Sequence, residues 1–155
     1  MEPGLDFQTV LDEKVRFFDA HHTVVLATSG ADAVSARTVS YATVGLEFYL
    51  LSWDHHEKVR QIRQNPQVAL ARDNISIKGV AEILGNPLDA RSRVGAEAIR
   101  KKRPREFEVF SRIPGMVLIK VTPTHVKSWV RVDNRFFIEH LDLAKQAAYL
   151  QKPED

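Results

Sequence analysis

Two segments of the sequence carry polar and charged side chains in positions suited to a phosphorylated ligand. The first runs from Arg37 to Tyr41 and places a cation inside a predicted β-strand. The second runs from Ser52 to Lys58 and places a hydroxyl at a strand end and an ammonium in the first turn of a predicted helix. Backbone N–H groups at a helix start, a hydroxyl and an ammonium together suit a dianionic phosphate.

Both segments also have plainer interpretations. A strand arginine usually faces solvent, and Lys58 and Ser52 are consistent with an exposed helix residue and a loop residue. Arg37 shares a strand face with Val39 and Tyr41, because alternate strand residues point the same way. Apolar neighbours on both sides of this cation favour a position in a cleft.

The sequence lacks the motifs that mark most other kinds of catalytic or binding site. It contains no cysteine, no G-x-G-x-x-G or Walker phosphate loop, no G-x-S-x-G and no H-E-x-x-H. The histidine pairs His21-His22 and His55-His56 consist of neighbours whose side chains diverge on a helix or strand. We therefore expect no metal site, and no side chain stands out as a catalytic acid, base or nucleophile.

Composition favours one cytoplasmic domain spanning residues 1–155. The chain of 155 residues is 44% hydrophobic, enough for one core. Its formal charge of +2 predicts no nucleic-acid partner, and the basic run at 100–105 is typical of a solvated helix end. Neither an export signal nor an apolar stretch long enough for a membrane span is present, so no membrane partner is expected.

Hydrophobic periodicity predicts alternating helices and strands. Helices are expected from the Asp6 cap to about His21, from an Asp54 cap to Gln64, and from Asn86-Pro87 to the basic run. Strands are expected at 23–28, 34–44, 46–52, 68–72, 75–84 and, with a break at Pro123, 116–132.

These elements predict a mainly β fold with flanking helices, a six-stranded antiparallel split β-barrel. No regular βαβ alternation exists from which a parallel sheet could be built. The barrel core is expected at about 5–132, followed by a helical tail at about 138–150.

Several stretches between Val25 and Val80, among them "ARTVSYA" and "FYLLSWDHHEKVRQIRQNPQVAL", carry a family likeness. With "VTPTHVKSW" at 121–129, they resemble the FMN-binding split-barrel superfamily of pyridoxamine 5'-phosphate oxidase, in particular its single-domain, general-stress-protein type. The likeness covers roughly residues 5–132. It implies an FMN-binding flavoprotein, an oxidoreductase acting on a small substrate.

The resemblance also assigns residues to the cofactor. It places Arg37 and Lys58 on the FMN phosphate, with Leu51, Ser52 and His56 in the same region. It places the backbone of Thr38, Val39, Ser40 and Tyr41 beside the flavin ring, where strand N–H groups tune the cofactor. Trp129 matches a tryptophan that lies close to the flavin in relatives, often supplied by the partner subunit; a place in the dimer core is the other interpretation.

Departures from the family pattern argue against pyridoxamine phosphate as the substrate. His56 and Glu57 replace a serine and a basic residue ahead of the lysine, and the closing Arg-x-His-Asp segment is not found after Trp129. Arg103-Pro104 resembles the substrate-phosphate arginine, but its usual tyrosine and serine partners are replaced by Ile99 and Phe107.

A homodimer is expected, with each cofactor between subunits, because a flavin needs two apolar walls and an open barrel offers one. Two other functions stay open: a non-catalytic flavin or haem-binding stress or storage protein, and a deazaflavin-dependent reductase. His55, His56 and His125 are the candidate haem ligands.

Overall fold

The computed structural model describes residues 4–153, which form one antiparallel sheet with helices packed against it. The strands are β1 Gly4–Leu5, β2 Thr23–Gly30, β3 Ala33–Ser40, β4 Ala42–Val44, β5 Glu47–Trp53, β6 Gln67–Arg72, β7 Ile75–Gly85, β8 Met116–Val132, β9 Arg135–Asp142 and β10 Ala147–Gln151. The α-helices are α1 Phe7–Ala20, α2 Glu57–Gln64, α3 Arg93–Lys102 and α4 Pro104–Phe110.

The predicted mainly β, split-barrel fold is confirmed. Strands β3, β2, β6, β7, β8 and β5 pair in that order, each antiparallel to the next, and β4 pairs with β5. The segment predicted as one strand over 34–44 is interrupted at Tyr41, so β3 pairs with β2 whereas β4 pairs with β5. The sheet therefore does not close, and it splits between β3 and β5.

The interior of the barrel is an aromatic and aliphatic core that α1 covers. Phe18 packs edge-on against Phe48 at 5.1 Å between ring centroids, and the Tyr41 hydroxyl donates to the Phe18 carbonyl at 2.7 Å. Burial raises the pKa of Tyr41 to about 12. Asp6 caps α1 as predicted, its carboxylate accepting from the Thr9 N–H at 2.9 Å.

Strand β5 is buried on both faces, which differs from the half-buried strand that its alternation predicts. Phe48 and Leu50 face the barrel as expected, but Tyr49 on the opposite face is only 3% exposed. Helix α3 packs there, with Ile99 in the same small apolar cluster as Tyr49. Gly95 permits this approach, since a Cβ at that position would overlap the Tyr49 ring.

Two predicted helix starts are wrong. Helix α2 begins at Glu57 with His56 as its N-cap, while Asp54 forms an ion pair with Arg63 instead. Asn86 does not start a helix at Pro87; its side chain accepts from the Leu88 N–H at 2.8 Å in a turn, and α3 begins at Arg93. Asn86 binds a backbone N–H two residues along and Asp54 binds a side chain in the last turn of α2, so neither side chain caps the first turn of a helix.

The predicted tail helix over 138–150 is also wrong, because β9 and β10 occupy these residues and bring the strand count beyond six. Strand β8 is long, and one of its edges pairs with β5 over Met116–Val121. The remainder of that edge pairs with β9 over His125–Val132, which satisfies backbone groups that a helix would leave open. Leu141 is consequently buried in the core.

In the region from Gly4 to Pro153, no helix combines the length and apolar character needed to cross a membrane.

Candidate cofactor-binding cleft

A cleft of about 290 Å³ opens where β3 and β5 diverge. Strand β4 pairs only with Glu47–Tyr49 of β5, so the remainder of β5 has no strand partner on this side within the described chain. Fourteen residues from the strands, α2 and the α3–α4 region line the cleft: Val39, Ser40, Tyr41, Tyr49, Leu50, Leu51, Ser52, Trp53, Lys58, Ile99, Arg103, Glu106, Phe110 and Met116.

One end of the cleft carries the Lys58 ammonium. Burial, together with the nearby Arg37 guanidinium, lowers the pKa of Lys58. Its hydrogen-bond partner is the His56 ring, at 3.3 Å between Nζ and Nδ1, and no carboxylate of residues 4–153 forms an ion pair with it. Lys58 lies in the first turn of α2, and the His56 side chain does not cap that turn, so N–H groups at the helix start are not used by a capping side chain.

Arg37 lies near Lys58 but does not line the cleft. Its guanidinium donates to the Thr28 hydroxyl at 2.7 Å and to the Leu26 carbonyl at 3.2 Å, across the β2–β3 pair. It also contacts the largely exposed Glu57 carboxylate at 3.3 Å. The arginine is therefore fixed in place while part of its charge is compensated.

Contacts with β2 fix the position of α2. The Thr28 hydroxyl that accepts from Arg37 donates to the Gln61 side chain at 2.5 Å, and Asn65 donates to the Ser29 hydroxyl at 2.9 Å. Gly30 allows this contact, because a Cβ there would lie 3.3 Å from the Gln61 Cα. Lys58 therefore lies on a helix whose position is fixed relative to the β2–β3 pair, which also holds Arg37.

The walls of the cleft are apolar and aromatic. Trp53 and Phe110 meet edge to face at 5.8 Å, joining the end of β5 to α4, and Met116 lies opposite Trp53 in the β5–β8 pair. Tyr49 and Leu51 complete this surface. A planar ring system could lie against such walls.

Arg103 and Glu106 lie at the junction of α3 and α4. The Arg103 Nε donates to Glu106 at 2.7 Å, and an Nη nitrogen contacts the other carboxylate oxygen. Hydrogen bonding to Glu106 raises the pKa of Arg103, and the same bond lowers the pKa of Glu106. The pair is therefore ionised over a wide pH range.

The structure brings together most of the residues that were predicted to hold a cofactor. Six line the cleft: Val39, Ser40, Tyr41, Leu51, Ser52 and Lys58. Arg37 and His56 contact this site from outside the lining, and Thr38 is exposed on β3 without lining it. Trp129 lies on β8 opposite Ile138, 51% exposed, and does not line the cleft of its own subunit.

The wall from α3 and α4 was not predicted as part of the site, apart from the family likeness of Arg103-Pro104. Pro104 after the basic run was the available signal, since proline favours the first turn of a new helix. The basic run itself is not simply solvated: Lys102 donates to the Phe18 and His21 carbonyls and lies 4.2 Å above the Tyr41 ring.

No histidine belongs to the described lining of the cleft. His125 instead contacts His140 on β9, at 2.8 Å between ring nitrogens. Within residues 4–153 no group of three or more potential metal-ligating side chains is assembled.

Solved structures share this fold at low sequence identity. ChuZ from Campylobacter jejuni is 13% identical, with a TM-score of 0.75 over 97% of this chain and 67% of that one. The haem storage protein HutZ from Vibrio cholerae is 15% identical, with a TM-score of 0.62 over 73% and 89%. An FAD-binding protein from Mesorhizobium loti is 15% identical, with a TM-score of 0.59 over 81% and 95%.

No match was found among curated proteins. The family model described as pyridoxamine 5'-phosphate oxidase, in contrast, matches residues 10–130, a span that includes β2 to β7, β8 as far as Val130, and every residue lining the cleft. On this match the chain belongs to the pyridoxamine 5'-phosphate oxidase family.

Proposed function

We propose that this protein binds FMN in the cleft and acts as an oxidoreductase on a small substrate. The observation that carries the proposal is the half-buried Lys58 ammonium, which faces the cleft without an acidic partner in the described chain. A half-buried cation beside a second cation is unfavourable by itself and becomes favourable when a dianion binds.

The residues present fit an FMN phosphate. Lys58 would hold it directly, Arg37 would add charge from nearby, and the first turn of α2 would donate backbone N–H groups. Ser52, only 3% exposed and near the end of β5, would contribute its hydroxyl by exchanging its present hydrogen bond to the Trp53 carbonyl, 3.1 Å away, for one to the phosphate. Bound FMN would supply hydride acceptance and donation at its N5 atom.

The walls suit the flavin ring. The backbone of Thr38 to Tyr41 would run along one edge of the ring, and Leu51 would contact its face. Because these groups lie on strands, they would hold the ring in a fixed orientation and exclude water from it. Catalysis would then depend on binding and orientation, since Glu106, the carboxylate of the described lining, is paired with Arg103.

A homodimer would complete the site. The cleft of about 290 Å³ lies at the lower end of the roughly 300–1,000 Å³ of small-molecule sites. A second copy would supply the missing wall, with the exposed Trp129 of one subunit covering the cleft of the other. Two identical cofactor sites would result from the two-fold symmetry.

Haem is a second candidate ligand, because the structurally similar HutZ is a haem storage protein. The described cleft lacks a histidine to serve as axial ligand: His55 and His56 precede α2, and His125 lies in contact with His140. A deazaflavin would meet the same phosphate and apolar groups as FMN. Pyridoxamine phosphate remains disfavoured as the substrate.

Purification of the chain tests the proposal directly. We expect a yellow protein whose flavin absorbance is retained on a sizing column at the mass of a dimer, with FMN identified by mass spectrometry after release. A haem Soret band, a deazaflavin spectrum, or a colourless protein that does not bind added FMN would contradict it.

A further inference from the structure

The cleft has two differently charged ends. Phe110 contacts Trp53, which lies 5.4 Å from the His56 ring and so near Lys58. Arg103 lies at the other end of α4, about 10 Å away along the helix axis. In the described part of the chain, Lys58 at the first end has no acidic partner, whereas Arg103 at the second end pairs with Glu106.

Glu106 and Arg103 form a bidentate ion pair. Two nitrogens of the arginine bind the two oxygens of the carboxylate, an arrangement that uses the face with which arginine recognises carboxylates and phosphates. The Arg103 side chain is 22% exposed and the Glu106 side chain 40%, so the pair is partly withdrawn from water.

Apart from Arg103 and Glu106, no charged residue of the described chain lines this end of the cleft; the neighbouring Lys102 lies above the Tyr41 ring and donates to the Phe18 and His21 carbonyls. Ile99 lies one turn before Arg103 on α3, only 3% exposed and facing the cleft, and Tyr49 lies beside it. An anion on the edge that Glu106 binds would have to displace this carboxylate, and an anion on the remaining Nη1 group would meet a guanidinium whose charge Glu106 already compensates. Both arrangements oppose binding of an anion.

We propose that Glu106 is a specificity-determining residue: by occupying the guanidinium of Arg103, it keeps the substrate end of the cleft neutral. The protein then takes uncharged, apolar or aromatic substrates and rejects phosphate esters and carboxylates. The inference rests on the proposed function, since it assumes that FMN fills the Lys58 end.

The test uses the FMN-loaded protein and two probes that differ by one group, phenol and phenyl phosphate. Binding is followed by perturbation of the flavin absorbance. We expect wild type to bind phenol more tightly than phenyl phosphate. Glu106→Gln frees the arginine without changing side-chain size, and it should bind phenyl phosphate at least about tenfold more tightly than wild type while phenol binding stays the same.

Glu97→Gln is the matched control. Glu97 makes the same i,i+3 pair with Arg100 on α3, but neither residue lines the cleft, so this variant should behave as wild type. A tightening as large in Glu97→Gln would attribute the effect to overall charge and overturn the inference. Wild-type preference for phenyl phosphate, or equal phenyl phosphate affinity in wild type and Glu106→Gln, would also overturn it.

The wild-type comparison of phenol with phenyl phosphate does not depend on any variant. If Glu106→Gln does not fold, that comparison still decides, because a wild-type preference for phenyl phosphate overturns the inference. Failure of the proposed function is seen separately, because the protein would then not retain FMN before any probe is added.

Discussion

Lys58 and Arg37 form a pair of neighbouring cations that the fold holds together, and of the two only Arg37 has a carboxylate partner among residues 4–153. Arg37 is fixed by Thr28 on β2, and Thr28 is fixed by Gln61 on α2, the helix that carries Lys58. These hydrogen bonds keep the two cations close to each other, so their repulsion is not relieved by movement of the strand or the helix. An arrangement of this kind favours an anionic ligand over the empty state.

Replacement of Lys58 should separate ligand binding from stability. In Lys58→Met we expect FMN affinity to fall roughly 10- to 100-fold, the value of one charge-assisted hydrogen bond. The unfolding midpoint of the apoprotein should rise by about 1 to 3 °C, because a half-buried cation beside another is removed. Fluorescence titration and thermal denaturation measure the two effects. Lys127→Met, at an exposed position on β8, should change neither.

Neutralising Glu57 should strengthen the phosphate site. Its carboxylate contacts Arg37 and would repel the phosphate, so Glu57→Gln should tighten FMN binding by about two- to fivefold at low salt. The gain should shrink as ionic strength rises, since Glu57 is largely exposed. Glu13→Gln on α1 serves as the control for net charge. Unchanged or weaker binding in Glu57→Gln would contradict the placement of the phosphate.

The lowered pKa of Lys58 predicts a loss of FMN affinity at alkaline pH. As the pH rises through this pKa, which lies below the usual lysine value, the ammonium loses the charge that is proposed to bind the phosphate. Apoprotein stability should change in the opposite direction and increase with pH in the same window, because the unfolded chain there binds more protons than the folded chain. Lys58→Met should flatten both profiles, and affinity titrations with matched melting curves from pH 7 to 10 would show this.

Gly95 is required for the wall that α3 forms. Gly95→Ala would drive a methyl group into the Tyr49 ring, so we expect a loss of about 1 to 3 kcal/mol in unfolding free energy and weaker FMN binding. Urea denaturation measures the loss. Gly4→Ala is the comparison, because a Cβ at Gly4 meets open space and should cost nothing measurable. A stable Gly95→Ala protein would show that α3 is free to shift.

Trp129 tests the proposed role of the second subunit. If it covers the partner's cleft, Trp129→Ala should weaken FMN binding by about tenfold while the mass on a sizing column stays that of a dimer. Phe136→Ala removes another exposed aromatic side chain of the β8–β9 hairpin and should leave FMN affinity unchanged. Equal affinity in Trp129→Ala and wild type would remove Trp129 from the site.

Local patterns in the sequence determined the barrel. Period-two alternation marked the buried face of β7, with Ile75, Ile77 and Ala81 inward, and the three- and four-residue spacing marked Val59 and Ile62 on α2. Burial enforces these patterns within each element, so they can be seen without the partner strand. Lys58 and Ser52 were found in the same way, because a strand end followed by a helix start brings them close in the chain.

Only the tertiary structure decided what lies far apart in sequence. The residues at 138–150 became strands because the free edge of β8 needed partners, a demand that overrode their helical pattern. The second wall of the cleft depends on α3 crossing β5 at Gly95, which brings Arg103 and Glu106 into the same cleft as Lys58. Long-range packing and edge pairing, unlike the period of a strand, leave no pattern in neighbouring residues. For this reason the cationic end of the site could be predicted from local spacing, whereas the Arg103 end was indicated only by family likeness and its pairing with Glu106 was not predicted.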